Sequence, residues 1–226
     1  MRINKLFSNL GICSRKDTSK LIEENRIIVN GLPCIQGQWV EFEDEILLDN
    51  KPLPIKEKIY IALNKPVGVT CTAADEVEHN IINFMNYNEY IFPVGRLDKA
   101  SQGLILLTND GDLSNKILES ENEHEKEYIV TLDRPFNDEF ILGMENGVEI
   151  CNVKTRQCKV RRISEDTFNI ILTQGLNKQI RRMSKAFGYN VEKLERIRIV
   201  NIELGDLEYG KWRYLSEEEL AVLRKF

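Results

Sequence analysis

The sequence predicts an α+β chain: a small N-terminal α/β unit over residues 1–49, a connecting segment over 50–58, and a larger unit over 59–226 on a mainly antiparallel mixed sheet. Three observations predict it. The first thirty positions pass from helical spacing of apolar residues into a strand-like run; a charged stretch with two prolines and no apolar period follows at 50–58; and beyond it long apolar runs mix with helical patterns without regular strand–helix–strand alternation.

Ile3, Leu6, Phe7 and Leu10 fall at helical spacing and Gly11 stops the run. Ser14, with Asp17 three residues on, gives a capping-box pattern that opens a second helix through Leu21 and Ile22. Ile27, Ile28 and Val29 read as a strand entering an Asn30-Gly31 turn, with Glu45-Ile46-Leu47-Leu48-Asp49 as its later partner. Pro52 and Pro54 among lysines read as a linker. Beyond it, strands are expected at 59–63, 127–132, 157–163, 167–173 and 194–204, and helices at 112–118, 137–144, 177–187 and 216–225, the last opened by a Ser216/Glu219 capping box. The region between the first of these strands and the apolar run at 104–107 reads as an irregular polar loop.

With 42% hydrophobic residues in 226, the chain has the composition of an ordinary globular protein. No run approaches the about 18 apolar residues of a membrane span, and Met1-Arg2-Ile3-Asn4-Lys5 lacks the apolar core of a signal peptide. A cytoplasmic location without a membrane partner is expected. Five cysteines without a Cys-x-x-Cys pair point to reduced thiols, and two histidines 45 positions apart do not form a metal cluster. No metal or other cofactor is expected, so chemistry falls to carboxylate, phenol and guanidinium groups.

The net charge of −5 conceals segregation: residues 1–30 carry +3, residues 154–198 carry +8, and the remainder therefore carries −16. Two basic segments in an acidic chain suit a local phosphate-binding surface, although solvated faces also give such runs.

The most informative stretch is Gly95-Arg96-Leu97-Asp98-Lys99-Ala100-Ser101-Gln102-Gly103, leading into Leu104-Ile105-Leu106-Leu107. One carboxylate is bracketed by two cations and two glycines, before a strand apolar enough to be buried on both faces. A carboxylate between Arg96 and Lys99 stays ionised, and a loop anchored by a buried strand presents it rigidly. Alone, the pattern equally fits an ordinary turn aspartate. Three further pieces accompany it: the strand exit Leu63-Asn64-Lys65-Pro66-Val67-Gly68-Val69; the strand Glu125-Lys126-Glu127-Tyr128-Ile129-Val130; and Gln174-Gly175-Leu176-Asn177-Lys178-Gln179-Ile180-Arg181-Arg182-Met183, where Leu176, Ile180, Met183 and Phe187 form an apolar stripe beside a basic face of Lys178, Arg181, Arg182 and Lys185. Val191-Glu192-Lys193-Leu194-Glu195-Arg196 closes the series.

In this order the pieces resemble the pseudouridine synthases, and the helix pair, strand and Asn-Gly turn before them resemble an S4 RNA-binding domain. Together they are most similar to the RsuA-type branch; the wording from Asn122 to Tyr128 and from Gln174 to Met183 is most like members acting on large-subunit ribosomal RNA. The resemblance implies that Asp98 is a nucleophile that detaches a uracil base from its ribose and lets it rejoin through carbon. It implies that Tyr128 packs against the base and assists removal of the C5 proton, and that Arg181 pairs with Asp98. It further implies substrate contacts at Arg96, Leu97, Ile180, Leu194, Arg182 and Lys178, the leucine at 194 as an apolar wall, and RNA contacts at Arg2, Lys5, Arg15, Lys16, Lys20 and Arg26. The implied partner is structured ribosomal RNA with one flipped-out uridine, bound by a monomer. A non-catalytic RNA-binding or ribosome-assembly protein on the same fold is the alternative. A hydrolase pairing Asp98 with Asp110 or Asp112 would need carboxylates about 5–9 Å apart, which the intervening strand opposes.

Overall fold

The computed structural model describes residues 1–41, 43–74, 77–119 and 123–225; Asn122, quoted above, lies outside them. The N-terminal part holds α1 (Ile3–Asn9), α2 (Arg15–Glu23), β1 (Ile27–Val29), β2 (Leu32–Pro33), β3 (Ile46–Leu48) and β4 (Lys51–Pro52). Its strands run in the order β2-β1-β3-β4. Ile3, Phe7, Ile22, Ile27 and Val29 close its own apolar cluster. Ser14 caps α2 by accepting from the Asp17 amide at 3.1 Å, but the Asp17 carboxylate accepts the Ser14 hydroxyl rather than completing a box. Because β4 extends this sheet and Leu53 packs on its cluster, the stretch without regular structure is 53–59.

The rest comprises β5 (Tyr60–Lys65), α3 (Ile81–Met85), β6 (Phe92–Pro93), β7 (Gln102–Thr108), α4 (Gly111–Leu118), β8 (Lys126–Leu132), α5 (Asp138–Glu145), β9 (Glu149–Ile150), β10 (Val153–Lys154), β11 (Lys159–Arg162), β12 (Thr167–Leu172), α6 (Gln179–Ala186), β13 (Val191–Ile199), β14 (Ile202–Glu203), β15 (Trp212–Tyr214) and α7 (Glu217–Leu223). Among the described residues the main sheet runs β11-β12-β8-β13-β7-β5-β15, with β14 on β13 and β6 on β7. β13 lies parallel to β7, and the other described strand pairings are antiparallel. β9 and β10 form a separate hairpin.

Alternation along β7 explains its unbroken apolar run. Ile105 and Leu107 enter the larger core with α3, α5 and α6, while Leu104 and Leu106 enter a second core with α4 and α7. A strand covered on both faces has no polar side to show. The expected strand at 194–204 is a hairpin instead: Val200 turns at φ +54° and β14 folds back on β13. The expected helix from 177 begins at Gln179, because Lys178 takes a left-handed conformation at φ +50°. The polar loop before the aspartate contains α3, capped by Asn80. The capping box of α7 is present with both hydrogen bonds.

The N-terminal part docks at the start of α4. Asn9 Nδ2 donates to Asp112 at 2.6 Å, Lys58 Nζ donates to Asn9 O at 2.6 Å, and Asn109 ties 57 and 59 through its amide. Across the centre of the main sheet Arg198 reaches Glu127 at 2.7 Å and Glu125 at 2.9 Å. The Arg198 hydrogen bond holds the Glu125 carboxyl below its ordinary range; burial pushes Glu127 up, but Arg198 and Asn169 outweigh it and bring it lower too. A depressed carboxyl contributes stability above its unfolded pKa, about 4.3, and loses it as pH falls through the lower folded value. Unfolding free energy, measured in urea, is therefore expected to decline below about pH 4.3, with a shallower decline in Glu127→Gln.

Candidate active site

The loop between β6 and β7 carries Asp98. Leu97 is buried in the larger core, and Asp98 O accepts from Ser101 N at 2.9 Å. The turn after β5 supports the loop from one side: Gly68 N donates to Lys99 O at 2.8 Å, and the Cys71 thiol donates to Leu97 O at 3.2 Å. Helix α6 supports it from the other, since Arg181 Nη2 donates to Ala100 O at 3.0 Å and Ser101 Oγ at 3.3 Å, while its Nη1 donates to Val191 O at 2.7 Å. Gly103 closes the loop at φ +103°, opposite Arg196 on β13, where a Cβ would stand 2.3 Å from Arg196 O.

This scaffold faces a cavity of about 650 Å³. Asp98 and Tyr128 both line it and both are half-buried. Tyr128 shares the sheet face of Arg196 and Ile170, its neighbours across β13 and β12. Leu194 and Ile180 supply apolar wall, and Arg96, Leu97, Lys178 and Arg181 also line the space. The sequence-predicted set is thus gathered, with two differences. Arg182 is not in the lining: its guanidinium is held by Asn177 at 2.9 Å and by Cys151. Arg181 makes no ion pair with Asp98; its Nη atoms donate to Val191 O, Ala100 O and the Ser101 hydroxyl while its Nε is buried without a partner, so it braces the loop instead of the carboxylate.

Asp110 and Asp112 are elsewhere. Asp110 accepts from the Tyr60 hydroxyl at 2.8 Å and caps α4, and Asp112 meets Asn9, so no carboxylate pair forms with Asp98. In the N-terminal part Arg2, Arg15, Lys16 and Lys20 are exposed and Lys5 is half-buried. Arg26 is committed to a two-point ion pair with Asp49, both bonds at 2.7 Å.

Sequence reasoning missed three cations. Lys126 and Arg196 line the cavity, and Lys65 is fully buried nearby. Alternation carried the signal for two of them: Lys126 stands two before Tyr128 and Arg196 two after Leu194, hence on the same faces. Burial depresses the Lys65 and Lys126 pKa values and raises that of the Cys71 thiol. In all, the described lining carries six Lys or Arg side chains against the single carboxylate of Asp98. Such a lining, predominantly cationic among its charged side chains, suits a polyanion. Among the described residues no group of three or more His, Cys, Asp or Glu gathers as a metal site would.

Comparison with known proteins agrees with this arrangement. The RNA pseudouridylate synthase family model matches residues 59–186. A dual-specificity RNA pseudouridine synthase, RluF, of Escherichia coli K12 is 47% identical over 228 residues, spanning 100% of this chain and 79% of its own length. The ribosomal large subunit pseudouridine synthase B of Bacillus subtilis is 32% identical, across 99% of this chain and 95% of its own. A crystal structure of a pseudouridylate synthase superposes with a TM-score of 0.74 at 30% identity, covering 99% of both chains. With more than half its length matched by the family and the site built as described, the chain belongs to the RNA pseudouridine synthases, of the RsuA type.

Proposed function

We propose that this enzyme isomerises one uridine of large-subunit ribosomal RNA to pseudouridine, with Asp98 as nucleophile. The observation that carries the reading is the solitary carboxylate, half-buried in a cavity that Tyr128 also lines and whose other charged side chains are all cations. The target nucleotide is turned out of its helix into the slot between Tyr128 and Leu194, where stacking returns about 1–3 kcal/mol of the unstacking cost. Asp98 attacks C1′ of the ribose or C6 of the base. The detached base turns, C5 bonds to C1′, and Tyr128 assists departure of the C5 proton. Arg181 is a positioning residue that braces the aspartate loop through Ala100 and Ser101. Lys178, Arg96 and Arg182 contact phosphates around the mouth.

The N-terminal part acts as an S4-type RNA-binding domain over residues 1–49, followed by a linker to the catalytic domain at 59–226. Arg2, Lys5, Arg15, Lys16 and Lys20 face the RNA backbone, and Arg26 joins them by exchanging Asp49 for phosphate. The enzyme works as a cytoplasmic monomer. Assignment to the large subunit draws on the name of the Bacillus subtilis relative. The test incubates purified protein with ribosomal RNA from cells lacking the gene and maps pseudouridine at single-nucleotide resolution. One new pseudouridine in large-subunit RNA is expected; none in any RNA would refute the reading.

A further inference from the structure

The catalytic roles above leave Lys65, Lys126 and Arg196 unused. Lys65 is 0% and Arg196 4% exposed, and Lys126 is half-buried. Lys65 Nζ donates to Pro66 O at 2.8 Å and Val69 O at 2.9 Å, Lys126 Nζ to His124 O at 3.1 Å, and Arg196 Nε to Leu104 O at 2.7 Å. Each of these acceptors is a neutral carbonyl. Among the described residues none of the three cations joins an ion pair, and Arg196 Nη2 is buried without any hydrogen-bond partner. Buried charges are ordinarily paired, because an isolated one costs its hydration. Lys126 and Arg196 line the cavity on the Tyr128 face, and Lys65 lies close enough for the charges of Arg196 and Asp98 to act on it.

Unpaired positive charge held beside a reacting group favours whatever negative charge develops there. We propose that Lys126 and Arg196, backed by Lys65, stabilise the negative charge that the pyrimidine acquires when Asp98 attacks. The proposal rests on the reading of Asp98 as nucleophile. If the carboxylate bonds to C1′ as the C1′–N1 bond breaks, that electron pair stays on the base as a uracil anion spread over N1, O2 and O4. If it bonds to C6, the C5–C6 π pair places the charge on O4; that pair returns through C5 to form the C5–C1′ bond, the C1′–N1 pair passes to N1, and N1 then expels the carboxylate from C6. In either case the charge is consumed when C5 bonds to C1′ and the carboxylate is released. In a cavity from which the base excludes water, the field of fixed cations acts at low dielectric and needs no reorganisation. An anion lodged beside Lys126 and Arg196 also relieves the repulsion between the two.

The experiment compares the native chain, Lys126→Met, which keeps the aliphatic stem, and Arg196→Gln. Each is given RNA carrying uridine or 5-fluorouridine at the target position. Single-turnover conversion of the target nucleoside is followed by chromatography of the digested RNA, RNA affinity by filter binding, and folding by thermal melting. With uridine, each variant is expected to convert about 10- to 100-fold more slowly, with RNA affinity lowered far less than the rate. With 5-fluorouridine, which carries no C5 proton to lose and is followed as disappearance of the parent nucleoside, the deficit shrinks several-fold, because the electron-withdrawing fluorine stabilises the base anion by itself. Equal deficits for the two bases, a loss confined to affinity, or failure of both variants to fold would overturn the proposal. Asp98→Asn runs in parallel: turnover by that variant would count against the nucleophile and not against the cations.

Discussion

Asp98→Asn is expected to bind its RNA at least as tightly as the native chain and to form no pseudouridine. The amide has the shape of the carboxylate but cannot act as an anionic nucleophile, so the fall in single-turnover rate is on the order of 10⁴-fold or more, the scale seen when a covalent nucleophile is removed. Affinity moves the other way. Removing the lone negative charge from a lining with six cations leaves phosphate attraction stronger. The fold is expected to survive, because Asp98 is half-buried and the loop is held by the Ser101 amide, Gly68, Cys71 and Arg181 through backbone atoms at 97, 98, 99 and 100. The measurement pairs a single-turnover assay with filter binding. A variant that loses affinity and rate together would make Asp98 a structural residue.

Gly103→Ala is expected to damage the fold more than any substitution within the cavity wall. At φ +103° an L side chain is strained, by about 1–3 kcal/mol. Its Cβ would also stand 2.3 Å from Arg196 O and 2.7 Å from Arg196 N, backbone atoms that cannot rotate away. Overpacking typically costs a further about 1–3 kcal/mol, against a total stability of about 5–15 kcal/mol for a domain. This is the parallel seam where β7 meets β13, and it brings the aspartate loop beside Leu194 and Arg196. Gly175→Ala supplies the contrast, since its Cβ would meet nothing within 4 Å. Urea unfolding of the two variants should give a large drop in midpoint for the first and almost none for the second.

Much of this molecule was legible because local rules and burial agreed. The run from Leu104 to Leu107 announced a strand covered on both faces, Ser216 with Glu219 announced a helix start, and Ile180 with Met183 announced the buried side of α6. What was hidden depended on distant partners or on broken preferences. β15 pairs with β5 across some 150 positions of sequence, beyond the reach of any local pattern. Val200 is β-branched and sits at positive φ, a conformation that its residue type disfavours, so the β13–β14 hairpin read as one strand. Lys65 and Arg196 break the rule that cations stay in water, and the pairing of Arg181 with Asp98 was implied by the family resemblance, whereas the carbonyl acceptors that hold Arg181 leave no mark in the sequence. The two glycines flanking the aspartate loop were visible as turn residues, but the contact of Gly103 with Arg196 needed the sheet.

The central claim is that Asp98 acts chemically on a uridine of ribosomal RNA. It is tested most directly by mapping pseudouridines in total RNA from cells lacking the gene, complemented either with the native chain or with Asp98→Asn. The account predicts that a large-subunit pseudouridine disappears with the gene, returns with the native chain and stays absent with the variant. A pseudouridine restored by Asp98→Asn, or an unaltered map with a ribosome-assembly defect that the variant cures, would contradict it.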